Sequence, residues 1–450
     1  MLSKIKRLHL QLGGIAAALA SSALSLAQDT APAVTETVAA AAAPASTINS
    51  GDTSWVLIST ALVLLMTPGL AFFYAGMVRG KNAVGMLMQN FIALAVLTAV
   101  WAICGYSLAF GPTQGGWIGS MGWAFLNGVG NQPNPDYSAT IPHSLFMAFQ
   151  CMFAVITPAL ITGAFAERMK FKTYLAFIVL WSLLIYSPVC HWVWGVGGFL
   201  RVKGALDFAG GTVVHMTAGF SALAAALAFG PRKDYGKADL SPHNVPFICL
   251  GTGLLWFGWF GFNGGSALGA GDLASNALVA THIAAAFATL VWMVGDWMFK
   301  GKPALTNACI GAVVGLIAIT PACGFVSSTS AIWIGLIAGG ASYVVAMIRG
   351  KSRIDDSLDV FAAHGIAGLT GVLLTGVFAS KAINGAGADG GGALVGTQFT
   401  AALIVAAYSF GVTFVLCKVL NAVFGLRASA KDEDAGLDHS EHGEKAYVNN

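Results

Sequence analysis

The sequence predicts an all-α polytopic membrane protein, and three observations carry that expectation. Of its 450 residues, 56% are hydrophobic and 10% charged, well below the roughly 25% charged content of a water-facing protein. Apolar runs recur at close to the ~20 residues that span a bilayer core. Lysines and arginines gather in alternate loops. The apolar content excludes disorder, and nothing resembles the alternating strands of an outer-membrane barrel. Helices remain, because each spanning segment must pair its own backbone amides.

In chain order, Lys4, Lys6 and Arg7 precede an Ala/Leu/Ser-rich stretch, and Ser25 and Ala27 stand correctly for cleavage before Gln28. Residues 1–27 therefore read as a secretory signal peptide, and 28–53, rich in Ala, Thr and Pro, as a flexible exported segment. Eleven apolar segments follow: 54–78, 84–110, 143–166, 174–198, 210–229, 245–262, 275–297, 304–320, 331–348, 360–379 and 397–424. Alternate loops hold Arg79 and Lys81; Arg168, Lys170 and Lys172; Arg232, Lys233 and Lys237; Lys300 and Lys302; Arg349, Lys351 and Arg353. Only Arg201, Lys203 and Lys381 occupy the opposite loops. That imbalance predicts a cytoplasmic side for the first set and for the tail, 427–450, with the N-terminus exported. An odd number of spans agrees. The seven cysteines lie scattered, mostly in apolar stretches, with no metal-ligand spacing, and read as small buried hydrophobes.

Four histidines, His191, His215, His282 and His364, lie inside apolar segments, where an ionisable group is costly and so a functional candidate. Two share a context. HMTAGF begins at His215 and HGIAGL at His364, and an aspartate precedes each histidine by eight residues, Asp207 and Asp356. The copies fall on the fifth and tenth segments. Five segments is an odd number, so the second unit must run inverted, the arrangement that places transport sites at the repeat interface near the bilayer midplane. Helices 1–5 and 6–10 would form the repeat, with a final helix outside it. The pseudo-twofold then brings His215 and His364 within hydrogen-bond reach across a central pathway. Asp207 precedes the Gly210–Gly211 pair, where two roles fit it: capping the helix start or lending negative potential to a cation site.

Two aromatic clusters, HWVWGVGGF from His191 and LLWFGWFGFNGGSA from Leu254, end the fourth and sixth segments on the outer side. Aromatic faces at such a mouth attract a small cation, and the glycines allow close helix approach.

Taken together, GLAFFYAGMVRGKN (69–82), GAFAERMKF (163–171), ALDFAGGTVVH (205–215), WFGFNGGSA (259–267), TPACGF (320–325) and DVFAAHG (359–365) resemble the Amt/Mep/Rh ammonium transporter family, in its bacterial AmtB type. DFAGGTVVH is the most specific of these. The resemblance implies a homotrimer of eleven-helix protomers (domain 54–426) in the bacterial cytoplasmic membrane, each with its own pore for ammonium or ammonia. It implies that Phe153, Trp194 and Ser266 form an outer ammonium site supported by Asp207. Phe153 and Phe262 correspond to the stacked phenyl gate, and His215 and His364 to the twin-histidine pair. GLR (425–427), GLD (436–438) and HGEKAY (442–447) resemble the region that docks PII-type signalling proteins, so the tail is expected to be an ordered regulatory segment. Neither a cofactor, a metal nor nucleic acid is expected.

Other classes leave different signatures. An ammonium sensor would signal through the tail. A bis-histidine haem protein would need an opening between His215 and His364. A hydrolase would need a nucleophile–base–orienter set, which the sequence does not offer.

Overall fold

The protein is described by a computed structural model over residues 47–447; the signal-peptide reading and most of the exported segment fall outside them. Among the described residues, ten helices are long and apolar enough to cross a membrane. They are α1 (Ser50–Met77), α2 (Gly80–Phe110), α3 (His143–Ala164), α4 (Phe171–Val202), α5 (Gly211–Phe229), α6 (Val245–Gly265), α7 (Asp272–Lys300), α9 (Ser328–Gly350), α10 (Phe361–Phe378) and α11 (Gly392–Phe424). The eighth apolar segment gives a shorter helix, α8 (Leu305–Ile319), followed by a tight turn through Thr320–Phe325. Two small antiparallel hairpins decorate the α2–α3 loop: β1 (Thr113–Gln114) with β2 (Ile118–Gly119), and β3 (Pro133–Asn134) with β4 (Ser138–Pro142).

Most helices extend past the edges that hydropathy suggests, because capping and first-turn residues are polar. Helix α1 starts at Ser50 rather than 54, where the Asn49 side chain accepts from the Asp52 amide at 3.0 Å. Helix α4 runs on to Val202 after a break at Gly195. The tail is ordered as α12 (Ala430–Ala435) and α13 (Leu437–His442), a point that composition alone left open.

Helices α5 and α10 form the centre of the bundle. Each opens on a π-helical turn, Gly211–Met216 and Phe361–Ile366, and each turn carries the repeat histidine. Asp207 accepts from four amides at the start of α5: Gly210 and Gly211 on Oδ1, Thr212 and Val213 on Oδ2, all within 3.0 Å. Asp356 takes the equivalent place on α10 but holds one amide, that of Phe361 at 2.7 Å, and its Oδ1 has no partner among the described residues. Helix α5 begins beside Trp194, whereas α10 begins beside Arg168 and Arg232 at the opposite end, so the two run antiparallel.

Their crossing is closed by the glycine that follows each histidine by four residues. A Cβ on Gly219 would fall on the Gly365 backbone, and one on Gly368 would lie 3.2 Å from the Gly211 carbonyl and from His215 Cβ. Small residues at these points let the two backbones approach.

At the tail end a buried charge network ties four elements together. Arg232 grips Asp355 bidentately at 2.9 Å, Arg168 donates to the Asp355 carbonyl and Ser357, and Arg79 pairs with Glu167. Burial alone would raise the Asp355 carboxyl, but the Arg232 and Arg168 guanidinium groups hold it below its ordinary value.

Candidate functional site

A pathway can be traced along the bundle axis from the end opposite the tail. It opens in a vestibule of about 170 Å³ whose lining includes Trp194, Asp207, Ser266, Tyr137, Gln150 and Arg201. The Trp194 indole donates to the Asp207 carbonyl at 2.8 Å, and Arg201 donates to the Trp194 carbonyl at 2.6 Å. The indole is thereby tied to the same residue whose carboxylate caps α5. Ser266 donates its hydroxyl proton to the Phe262 carbonyl at 2.8 Å, which leaves its oxygen lone pairs facing the vestibule as acceptors.

Phe153 does not line the vestibule; it forms the floor. Its ring, 1% exposed, stands perpendicular to Trp194 at 5.9 Å and packs against Phe262 at 4.3 Å between centroids, the two rings tilted by 39°. Phe262 comes from α6 and Phe153 from α3, so two helices close the path with one aromatic side chain each. Below Phe262 lies His215, its ring nearly parallel at 5.9 Å.

The next layer holds both repeat histidines. His215 Nδ1 and His364 Nδ1 are 3.2 Å apart, a hydrogen bond between buried imidazoles in which one nitrogen donates and the other accepts. His215 Nε2 is buried and has no partner among the described residues. The surrounding cavity is otherwise apolar, lined by Leu70, Phe73, Ile156, Leu160, Val313 and others, and its open volume of about 10 Å³ admits one water-sized species at most. The direct nitrogen–nitrogen contact also leaves no space for a porphyrin iron between the rings, which a bis-histidine haem would require.

Several contributors escaped the sequence reading. Trp259 packs beside Phe262 at 5.4 Å and stacks on His215 at 5.4 Å, with its indole anchored to Thr320 Oγ1 at 2.9 Å. It sits in the LLWFGWFGFNGGSA cluster, three residues before Phe262, so helical spacing could have placed both on one face. Gln150 is three residues before Phe153 on α3 and is the lone amide side chain in an apolar run. Of the remaining intramembrane histidines, His191 is held by Thr113 and the Ala109 carbonyl, and His282 packs beside Trp256; neither reaches the pathway.

The tail packs across the far end. Asp438 accepts from the Gly85 amide at 2.7 Å, Asn82 accepts from the Leu437 amide, and Glu441 accepts from the Phe171 amide. Arg427 pairs with Glu433 and donates to the Pro231 carbonyl, while Tyr447 meets His243 and Asn244 at the start of α6. The tail therefore bears on α2, α4, α6 and the end of α5 at once.

Comparison with known proteins places this architecture. The sequence profile of the Ammonium Transporter Family matches residues 54–447. The chain is 48% identical to an ammonium transporter of Bacillus subtilis (strain 168) over 402 residues, covering 88% of this chain and 98% of that protein. It is 47% identical to the ammonium transporter Amt1 of Archaeoglobus fulgidus over 403 residues, 89% of this chain and 100% of that one. Among solved structures, Saccharomyces cerevisiae Mep2 superposes with a TM-score of 0.81 at 36% identity, covering 85% of this chain and 88% of its own. A protein titled Sensor Amt Protein superposes with a TM-score of 0.80 at 30% identity, covering 87% and 98%. With the profile spanning nearly all of the helical domain and the relatives aligned almost end to end, the chain belongs to the ammonium transporter family.

Proposed function

We propose that this multi-pass membrane protein, an ammonium transporter by family, captures ammonium in the vestibule and conducts ammonia past the paired histidines. Capture draws on the Ser266 hydroxyl oxygen and the faces of Trp194 and Phe153, with Asp207 holding the frame. Phe153 and Phe262 act as the gate. Beyond them the walls are apolar, and a bare cation there costs several kcal/mol or more. Leaving the proton behind, or relaying it along His215–His364, removes that cost. The observation that carries the reading is the 3.2 Å imidazole contact beneath the packed pair of phenyl rings.

The same reading sets the wider organisation. Residues 54–426 form the transport domain and 427–450 a regulatory tail, after a signal peptide at 1–27 and an exported segment at 28–53. Three copies assemble as a homotrimer in the cytoplasmic membrane, N-terminus exported and tail cytoplasmic, with the thirteen loop cations on the inner side. The tail is the docking surface for a PII-type partner. A sensor role alongside transport is favoured by one observation, the ordered contacts of the tail across α2, α4 and α6.

Electrical recording from proteoliposomes tests the mechanism. His215→Ala and His364→Ala should each lower ammonium-driven current or admit potassium. Wild-type rate and full selectivity in both variants would overturn it.

A further inference from the structure

We infer that Asp136 supplies the charge that draws the cation to the mouth of the pathway, offsetting the Arg201 guanidinium held at the same mouth, and that it does so without choosing between ammonium and potassium. The inference rests on the vestibule being the capture site, as proposed above.

A guanidinium is an unexpected lining for the entrance of a cation pathway, because it repels what the vestibule must collect. Arg201 has a structural task there: it donates to the Trp194 carbonyl at 2.6 Å and so helps to hold the indole. Its charge stays at the mouth, since an arginine does not deprotonate. Two carboxylates line the same space, Asp136 and Asp207. Both oxygens of Asp207 are committed, each accepting from two backbone amides between 2.7 and 3.0 Å, and the positive end of α5 offsets its charge. Asp136 is placed differently. It is exposed, and among the described residues none donates to its carboxylate or pairs with it. The other polar side chains of the lining, Tyr137, Gln150, Trp194 and Ser266, are neutral.

The backbone, not the carboxylate, fixes where this charge sits. The Asp136 amide donates to Asn134 Oδ1 at 3.0 Å in the turn between β3 and β4. The next residue is pinned on two sides: the Tyr137 hydroxyl donates to the Phe110 carbonyl and accepts from the Val196 amide, both at 2.9 Å, and its ring stacks on Phe146 at 5.3 Å. A firmly seated turn thus carries an accessible negative charge at the vestibule. Without it, Arg201 acts alone, and a cation meets net repulsion before it reaches Trp194 and Ser266. Such a field acts on unit charge and not on directional N–H donors, so potassium feels it as ammonium does. Salt screens it, whereas salt does not screen a direct contact in the same way.

Proteoliposome recordings of ammonium current over a concentration series, with potassium as competitor, decide the matter. They are made in an impermeant organic salt at about 10 mM, where the Debye length is ~30 Å, and at about 1 M, where it is ~3 Å. At low salt Asp136→Asn should raise the ammonium half-saturation concentration about fourfold and leave the maximal current within about twofold. At high salt the gap to wild type should close. Potassium should lose potency as a competitor by the same factor, so that the ratio of the two affinities is unchanged. Asp136→Glu, which keeps the charge, should match the wild type, and Asp136→Lys should shift half-saturation further than Asp136→Asn. Wild-type half-saturation in Asp136→Asn and Asp136→Lys at low salt would overturn the inference. A shift that survives high salt, or that changes the ratio, would overturn it too, because either marks a direct contact. Trp194→Leu and Ser266→Ala are recorded in parallel. If they raise half-saturation while the Asp136 variants do not, the capture site stands without Asp136; if they also match the wild type, the capture site itself falls.

Discussion

Gly219→Ala isolates the contact on which the proposed conduction rests, because it perturbs the helix crossing without touching either imidazole. An alanine Cβ at 219 would land on the Gly365 amide nitrogen and Cα, and 2.8 Å from the His364 carbonyl carbon. Carbon atoms rest at roughly 3.5–4.0 Å, so α5 and α10 must part by about 1 Å or more at this level. The His215–His364 hydrogen bond has no such slack. At 3.2 Å it already stands at the long end of its range, and a further ångström abolishes it. Overpacking of this kind costs about 1–3 kcal/mol, and ammonium flux should fall by roughly tenfold if the barrier rises by ~1.4 kcal/mol. The repeat supplies its own control. At Gly368 the added Cβ meets its nearest neighbours at 3.2 Å, so Gly368→Ala needs a shift of only a few tenths of an ångström and should stay near wild-type flux. Solid-supported membrane electrophysiology on both variants, with melting temperatures in detergent, gives the comparison. Wild-type flux in Gly219→Ala, or greater damage from Gly368→Ala, would refute the reasoning.

Three more outcomes follow from the same geometry. Asp207→Ala strands four buried amides and should destabilise the fold by at least about 3 kcal/mol, read as a lowered melting temperature; Asp207→Asn, with one oxygen left, should melt in between, and an Ala variant as stable as wild type would contradict the capping role. For Asp355, held below its ordinary value by the arginines, the stabilisation is present above the unfolded carboxylate pKa of about 4 and is lost as pH falls through the lower folded value. Stability should therefore hold from neutral pH to about 5 and drop below about 4, with Asp355→Asn already depressed at neutral pH; an acid profile shared by both proteins would count against it. Asp438→Ala removes the acceptor at the start of α2 and should speed amide hydrogen exchange across 430–447 while leaving α5 protected; unchanged tail exchange would show that the contact holds nothing in place.

The sequence made the helical bundle legible because bilayer-length apolar runs and loop charge need no tertiary information. Its helix ends were less so: the polar residues that begin a helix, such as Asn49 or Asp272, carry the opposite hydropathy from the helix they start. The repeat was readable from two Asp–His intervals of eight residues, yet nothing in those intervals announced π-helical turns, since one extra residue in a turn leaves no hydropathic mark. Gln150 and Trp259 were hidden for opposite reasons, one a single polar residue in an apolar run, the other one aromatic among many. The order of the tail could not be computed from its polar composition, because what holds it is distant: Gly85, which Asp438 caps, lies 353 positions away. Only the family resemblance of GLR, GLD and HGEKAY pointed to it.

The fourfold grip of Asp207 has a thermodynamic corollary. With the backbone riveted and the indole pinned to the same residue, the entrance has little left to order when a guest arrives, so the entropic toll of recognition is prepaid during folding. A mouth fixed in this way needs no loop to fold over its guest, so on the proposed mechanism traffic through it should be limited by desolvation and proton hand-off.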